Sequence, residues 1–309
     1  MRYFPFLWLA GFLFWGGCKP VIALQWDPTT IPAGRSMVYK SVTETETDLS
    51  LPGKMTPALK ETSIAEYTLT LNHVNPDGSS EWTRRILRYR KEKTQGDSTQ
   101  VFDSSLPSDD ESIEQMVNKA MNGIEFQISV APNGDIVQIN GIDAMIDQMT
   151  NAVPPELQPV FRKTLTGLVG KNASLDFGKN MMTFTPVARQ KIKKGKSWMT
   201  RQPISTFNAN AEIRYELLRE TPQLVELVTE HTIKTNGETP EIMDLGSVQI
   251  QMNIEGTGAG SVSLDKRWKT VRKMYTEYRL SGNMEISMPT LAAQKLPVFI
   301  HAKTWVEML

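Results

Sequence analysis

Along most of this chain apolar residues recur at every second position. In "SVQIQMNIE", Ser247 to Glu255, the side chains of Val248, Ile250, Met252 and Ile254 face one way, and Gln249, Gln251, Asn253 and Glu255 the other. "IEFQISV" sets Ile124, Phe126, Ile128 and Val130 against Glu125, Gln127 and Ser129. "NMEISM" repeats the pattern with Met284, Ile286 and Met288, and "PVFIHAKTWVEM" with Val298, Ile300, Ala302, Val306 and Met308. Side chains of a strand alternate between its two faces, so a period of two predicts strands. One apolar and one polar face is the condition of an antiparallel sheet with one side wet. Further strands are predicted at 37–48, 64–73, 81–91, 136–139, 213–219, 224–234, 261–264 and 269–280. "NPDGS" at Asn75 and "PNGD" at Pro132 supply short hairpin turns of the Asp-Gly and Asn-Gly kind.

The middle of the chain changes period. "SDDESIEQMVNKAMNG" has Ser108 three residues before Glu111, a capping-box spacing, and then a stripe of Ile113, Met116, Val117, Ala120 and Met121. Asn122-Gly123 ends it. "IDAMIDQMTNAV" stacks Ile142, Met145, Ile146 and Met149. "PELQPVFRKTLTGLVG", from Pro155, places Leu157, Val160, Phe161, Leu165, Leu168 and Val169 along one side. The order strands, helices, strands predicts an α+β fold, mainly β. It is a long curved antiparallel sheet, half-barrel-like, with two or three central helices packed on one face. Polar loops at Leu51, Lys93 and Thr235 lie between elements and do not divide the chain. Residues 24–309 therefore read as one β-rich domain with a helical insert at about 108–170.

The N-terminus adds a location. Met1-Arg2 is followed by "YFPFLWLAGFLFW", an uncharged apolar run. A basic start and a short apolar core make a secretory signal. The run is shorter than the roughly 20 residues that span a bilayer as a helix. Two processing sites compete. Residues 1–17 would be removed if Cys18, after the small Gly16 and Gly17, becomes the lipid-modified first residue of a lipoprotein. Residues 1–23 would be removed if cleavage follows "VIA". The protein is expected to be exported, either periplasmic or held at the membrane by lipid on Cys18.

Cys18 is the single cysteine, so either route leaves no usable thiol, disulfide or Cys-based zinc site. Lys plus Arg and Asp plus Glu both total 34, and no net charge points to nucleic acid. The three histidines, His73, His231 and His301, fall on strands, none at helical metal-pair spacing; they read as strand-face histidines with ordinary partners. No Gly-x-Ser-x-Gly elbow occurs. "GTGAGS", Gly256 to Ser261, lies between two strand candidates rather than before a helix, and reads as a bulge or hairpin turn. Asp109-Asp110-Glu111 reads as helix capping, and the basic run Arg189 to Trp198 as a solvated loop. No catalytic residue, metal site or cofactor is expected.

Methionine is the unusual feature. The chain has 16, and Met116, Met121, Met145 and Met149 lie on helix stripes while Met252, Met284 and Met288 lie on strands, as do Met181 and Met182. Thioethers are flexible and polarisable, suited to adaptable apolar surfaces. They either fill the seam between helices and sheet or line a space there that accepts an apolar ligand.

"PNGDIVQINGIDAM", "IKKGKSWMT", and "GTGAGSVSLDKRWKTVRK" with the following "SGNMEISM" together resemble a family of exported bacterial proteins of unknown function. The second stretch is similar to a Lys-x-Gly-Asp-x-Trp pattern, with Lys196 in place of the acid. The resemblance spans most of the mature chain and implies an exported, β-rich, non-catalytic domain. In architecture alone it is similar to the half-barrel carriers of lipids and lipoproteins in the bacterial envelope. The expected function is non-enzymatic binding of an apolar or lipid-like ligand between sheet and helices, with hinges around Gly141, Pro154 and Pro155. The alternative is a structural or protein-interaction module of the envelope with a fully packed core. The expected partners are a lipid or other apolar small molecule, or another envelope protein. Membrane contact would come only through the anchor.

Overall fold

Alternation of the kind seen here leaves a strand half-wet until neighbours cover its apolar side, and the chain solves this by pairing nearly all of its strands together. The computed structural model describes residues 21–23, 28–49, 58–106, 112–169, 191–193, 197–204, 209–235, 241–244, 249–268, 270–288 and 291–309. The strands are β1 (Val21–Ala23), β2 (Ser36–Leu49), β3 (Leu59–Val74), β4 (Ser80–Gln95), β5 (Ser98–Asp103), β6 (Glu125–Val130) and β7 (Ile136–Asn140). They continue as β8 (Lys191–Lys193), β9 (Ser197–Ile204), β10 (Ala209–Glu220), β11 (Leu224–Thr235), β12 (Glu241–Asp244), β13 (Gln249–Asp265), β14 (Val271–Met288) and β15 (Leu291–Met308). The helices are α1 (Ile113–Ala120), α2 (Ile142–Asn151) and α3 (Gln158–Val169). Thirteen strands make one sheet in the order β7-β6-β4-β3-β2-β15-β14-β13-β11-β10-β9, with β5 on β4 and β12 on β13. Every pairing in it is antiparallel. Among the described residues β7 and β9 do not pair with each other, so the sheet stays open. β1 and β8 pair separately. The signal segment and Cys18 lie outside the described residues.

The hairpin expected from 124–130, the Asn-Gly turn and 136–139 is present as β6–β7 and joins the sheet through β4. Two sequence expectations change, one at α1 and one in β13. α1 is capped by Ser112, whose Oγ accepts from the Gln115 amide at 3.3 Å; the Ser108 capping box lies outside the described residues. Its expected apolar stripe is also rotated: Ile113 is 42% exposed, while Gln115 and Asn118 are buried. Local polar bonds explain the turn. The Gln115 side-chain amide reaches the Asp103 carbonyl at 3.5 Å, and that of Asn118 donates to the Glu114 carbonyl at 2.7 Å.

The second change is at Gly256 to Ser261, which is no turn but the middle of β13. Gly256, Gly258 and Gly260 pair with Leu280, Tyr278 and Thr276 of β14. A Cβ at Gly256 would stand 2.1 Å from the Arg279 carbonyl oxygen, and one at Gly260 2.3 Å from that of Tyr275. At Gly258 it would meet the Tyr278 ring at 2.5 Å. The strands approach more closely here than any side chain allows, which is the use of glycine inside a strand. The three lie on the same face as Ile254 and Val262, both buried, so the approach tightens the inner side of a half-barrel-like sheet.

That inner face carries two apolar clusters. One joins Met37, Tyr39, Tyr67, Leu69, Trp82 and Ile86 of β2–β4, the β6–β7 hairpin, and Met145 and Ile146 of α2. The other, among the described residues, is built from strands alone: β9, β10, β11, β13 and β14. Met274 of β14 packs against both. Tyr39 reaches over the end of β15 to donate to the Val271 carbonyl at 3.1 Å, which fastens β2 to β14.

Candidate functional site

The helix cover is set by one residue. Gly141 ends β7 with φ +100°, in the left-handed region where glycine is favoured. A Cβ there would lie 2.4 Å from the Glu125 carbonyl oxygen. This tight turn lays α2 back over its own hairpin, with Met145 and Ile146 buried and Ile142 and Met149 half-buried in the helix–sheet cluster. Met121, just after α1, and Leu165 of α3 join it. α2 and α3 are tied by an ion pair of Arg162 and Asp147 at 2.5 Å. Among the described residues no main-chain hydrogen bond joins α2 or α3 to a strand. Side-chain packing holds the cover.

The sequence-predicted methionines separate into two places. Met121, Met145 and Met149 meet in the seam between helices and sheet. Met116 is half-buried on α1 and outside that cluster. Met252 and Met284 are opposite each other on β13 and β14, and Met288 pairs with Leu291. Met284 is half-buried; the side chains of Met252 and Met288 lie outside the described residues, as do Met181 and Met182 altogether.

Sequence reading missed the most unusual side chain of the seam. On β4 the inward positions are Trp82, Arg84 and Ile86, exposed by 0%, 4% and 2%. Arg84 stands in register with Leu69 of β3 and Phe126 of β6, both buried in the same cluster. Its guanidinium lies over the Tyr67 ring, 4.0 Å from the centroid. Among the described residues Nε and Nη1 have no hydrogen-bond partner. No carboxylate among the described residues pairs with it. Burial lowers its pKa from the ordinary value, with Tyr67 opposing. Keeping a charge out of water costs several kcal/mol even after relaxation, and a desolvated cation–π contact returns about 2 kcal/mol. Desolvation wins. The signal was available: a charged residue in an apolar slot of an alternating strand.

One strand away the same protein pairs its charges fully. Asp103, buried at the end of β5, takes two hydrogen bonds from Arg88, the shorter 2.5 Å, and two from Ser105. The Arg88 guanidinium holds the Asp103 carboxyl well below the usual carboxylate range.

The strand-only cluster has a polar centre. His231 of β11 is buried, with Nε2 2.8 Å from Thr229 Oγ1 and Nδ1 3.1 Å from Tyr278 Oη. The Tyr278 ring meets the imidazole edge-on because Gly258 gives it room. Burial pushes His231 down to about 4 and Tyr278 up to about 12. Trp198 stacks on Tyr215 nearby, and its indole N–H has no partner among the described residues. Of the other histidines, His73 is exposed and His301 binds Glu277 at 2.7 Å on the outer face. That bond, with one from Tyr275, holds Glu277 down at about 2. Among the described residues no three His, Cys, Asp or Glu side chains are grouped as metal ligands, and no helix is long and apolar enough to cross a membrane.

No curated protein matches the chain. Among solved structures, lipovitellin, determined for its lipid–protein interactions, is similar over 90% of this chain at 9% identity and a TM-score of 0.46. The chain spans 25% of that lipovitellin chain. The COG4313 outer membrane channel of Pseudomonas putida F1 overlaps 90% of this chain and 97% of its own, at 8% identity and a TM-score of 0.23. Salmonella typhi OmpF in complex with daunomycin overlaps 89% and 98%, at 7% identity and 0.23. None of these scores reaches the level of a shared fold. A family profile does match residues 87–268, from within β4 through the helices to the turn after β13, more than half of the chain. The protein belongs to a family of unknown function, DUF6263.

Proposed function

We propose that this protein is a non-enzymatic, exported component of the bacterial envelope that binds an apolar or lipid-like ligand between its sheet and helices. The observation that carries the reading is the construction of the cover. α2 is packed on the sheet through Met145, Ile146, Ile142 and Met149, and among the described residues the β6–β7 hairpin beneath it is tied to β4 by a main-chain ladder in which the helix takes no part. An opening movement about Gly141 would break apolar contacts and the bonds that Gln148 donates to the Ala120 and Asn122 carbonyls, and leave the sheet's main-chain ladder whole. Methionine in the seam suits a surface that must repack around different chains.

The reading is tested by extracting the purified protein with organic solvent and analysing the extract by mass spectrometry, and by titrating the delipidated protein with an uncharged fluorescent alkyl probe. One stoichiometric apolar species, or saturable probe binding, is expected. An empty extract together with a probe that never binds would sink the carrier. The protein-interaction alternative is favoured by apolar side chains on the outside: Val137, 58% exposed on the end strand β7, and Val160, 70% exposed on α3. Substituting both with Lys would abolish partner capture in that case and leave probe binding unchanged in ours.

A further inference from the structure

Resting on that ligand-binding reading, we infer that Arg84 anchors the anionic oxygen head group, carboxylate or phosphate, of an amphipathic ligand whose hydrocarbon lies in the seam beside Tyr67 and Phe126. The geometry is that of a cation without an anion. Arg84 points inward from the first half of β4, with Trp82 and Ile86 on either side and Leu69 and Phe126 across the two neighbouring strands. Two of its three guanidinium nitrogens are buried with no acceptor among the described residues. Tyr67 presents the face of its ring to the guanidinium. Asp103, the one buried acid among the described residues, is already occupied by Arg88 and Ser105 and is not available to complete the charge.

A methionine or leucine in this slot would pack against the same neighbours with no charge to desolvate, so the arginine weakens the ligand-free protein. An oxyanion arriving with a hydrocarbon tail would supply both missing acceptors, through charge-assisted hydrogen bonds that are strong in an apolar surround. The site thus selects for charge at one end of the ligand and for apolar surface along the rest. A purely hydrocarbon ligand would leave the guanidinium as it is, and a soluble anion would leave the seam unfilled.

The test uses the full chain, delipidated, at pH 8. Palmitate, hexadecyl phosphate and hexadecanol each compete with the uncharged alkyl probe. Wild type should bind at least one of the two anions about tenfold or more tightly than hexadecanol, and the better anion tells carboxylate from phosphate. In Arg84→Met that preference should fall to within about twofold, while Arg84→Lys keeps most of it. Ligand-free Arg84→Met should also melt at a higher temperature than wild type. Equal affinity of wild type for all three competitors would overturn the anchor and leave the binding reading intact. A charge preference that survives in Arg84→Met overturns it as well. Should Arg84→Met fold poorly, the wild-type comparison still decides, and a lower melting temperature would make the contact with Tyr67 structural. Failure of the uncharged probe to bind wild type would instead sink the binding reading.

Discussion

Among the described residues the hydrogen-bond partners of His231 are the Thr229 and Tyr278 hydroxyls, and neither carries a charge to compensate a proton. Its pKa is lowered by burial from 6.5 to about 4. Between those values the unfolded chain is protonated at this site and the folded chain is not, so stability rises with pH across the window and is lost as pH falls through it. The loss between pH 7 and pH 4.5 amounts to about 2–3 kcal/mol. Urea unfolding at the two pH values measures it, and His231→Gln should remove most of the difference; an unchanged slope would place the acid sensitivity elsewhere. The depressed carboxyls of Asp103 and Glu277 act in a lower window, withdrawing their stability as pH falls below the ordinary carboxylate range. At this scale the sequence was a partial guide. It showed His231 on a strand face, yet the register that sets Tyr278 beside it is a property of the whole sheet.

At the scale of elements, strands were legible wherever one face was wet, because alternation is then written directly into the chain. β13 was misread for a physical reason: its inward residues run Ile254, Gly256, Gly258, Gly260 and Val262, and three of them have no side chain to mark the period. Glycine there answers to the neighbouring strand, which no local window contains. Gly256→Ala and Gly260→Ala should each cost about 1–3 kcal/mol or more by overpacking against β14. Ala259→Ser, on the exposed side of the same strand, should stay within about 0.5 kcal/mol. Urea midpoints compare the three, and equal effects would refute the close approach. α1 was misread in another way, since its buried Gln115 answers to the Asp103 main chain. α2 was legible in full, and Met145 gives its test. Met145→Ala should cost about 2–5 kcal/mol if the seam is packed solid. A smaller loss, with altered probe affinity, is the result expected of a seam that admits a ligand.

For the whole molecule, the half-barrel-like sheet with central helices followed from the order of periods along the chain, while its strand order did not. Location remains a proposal with a direct check. If Cys18 is lipidated, Cys18→Ala should release the protein from membranes and remove an acyl mass, whereas a mature chain starting at Leu24 would exclude the anchor. The strand order has a consequence of its own. β2 and β15 are joined from Tyr39 opposite Met308 to Leu49 opposite Val298, and theirs is the one link in the ladder between β7–β2 on one side and β15–β9 on the other. Each side pairs mostly between sequence neighbours, so each can assemble before the two meet. Until they do, β2 and β15 are both naked edges of the kind that recruit other chains. Joining them is therefore the slow, high-contact-order step of folding, and the step at which a second copy can substitute its own β15. Refolding at high protein concentration should yield a dimer with exchanged halves, separable by gel filtration and absent at high dilution.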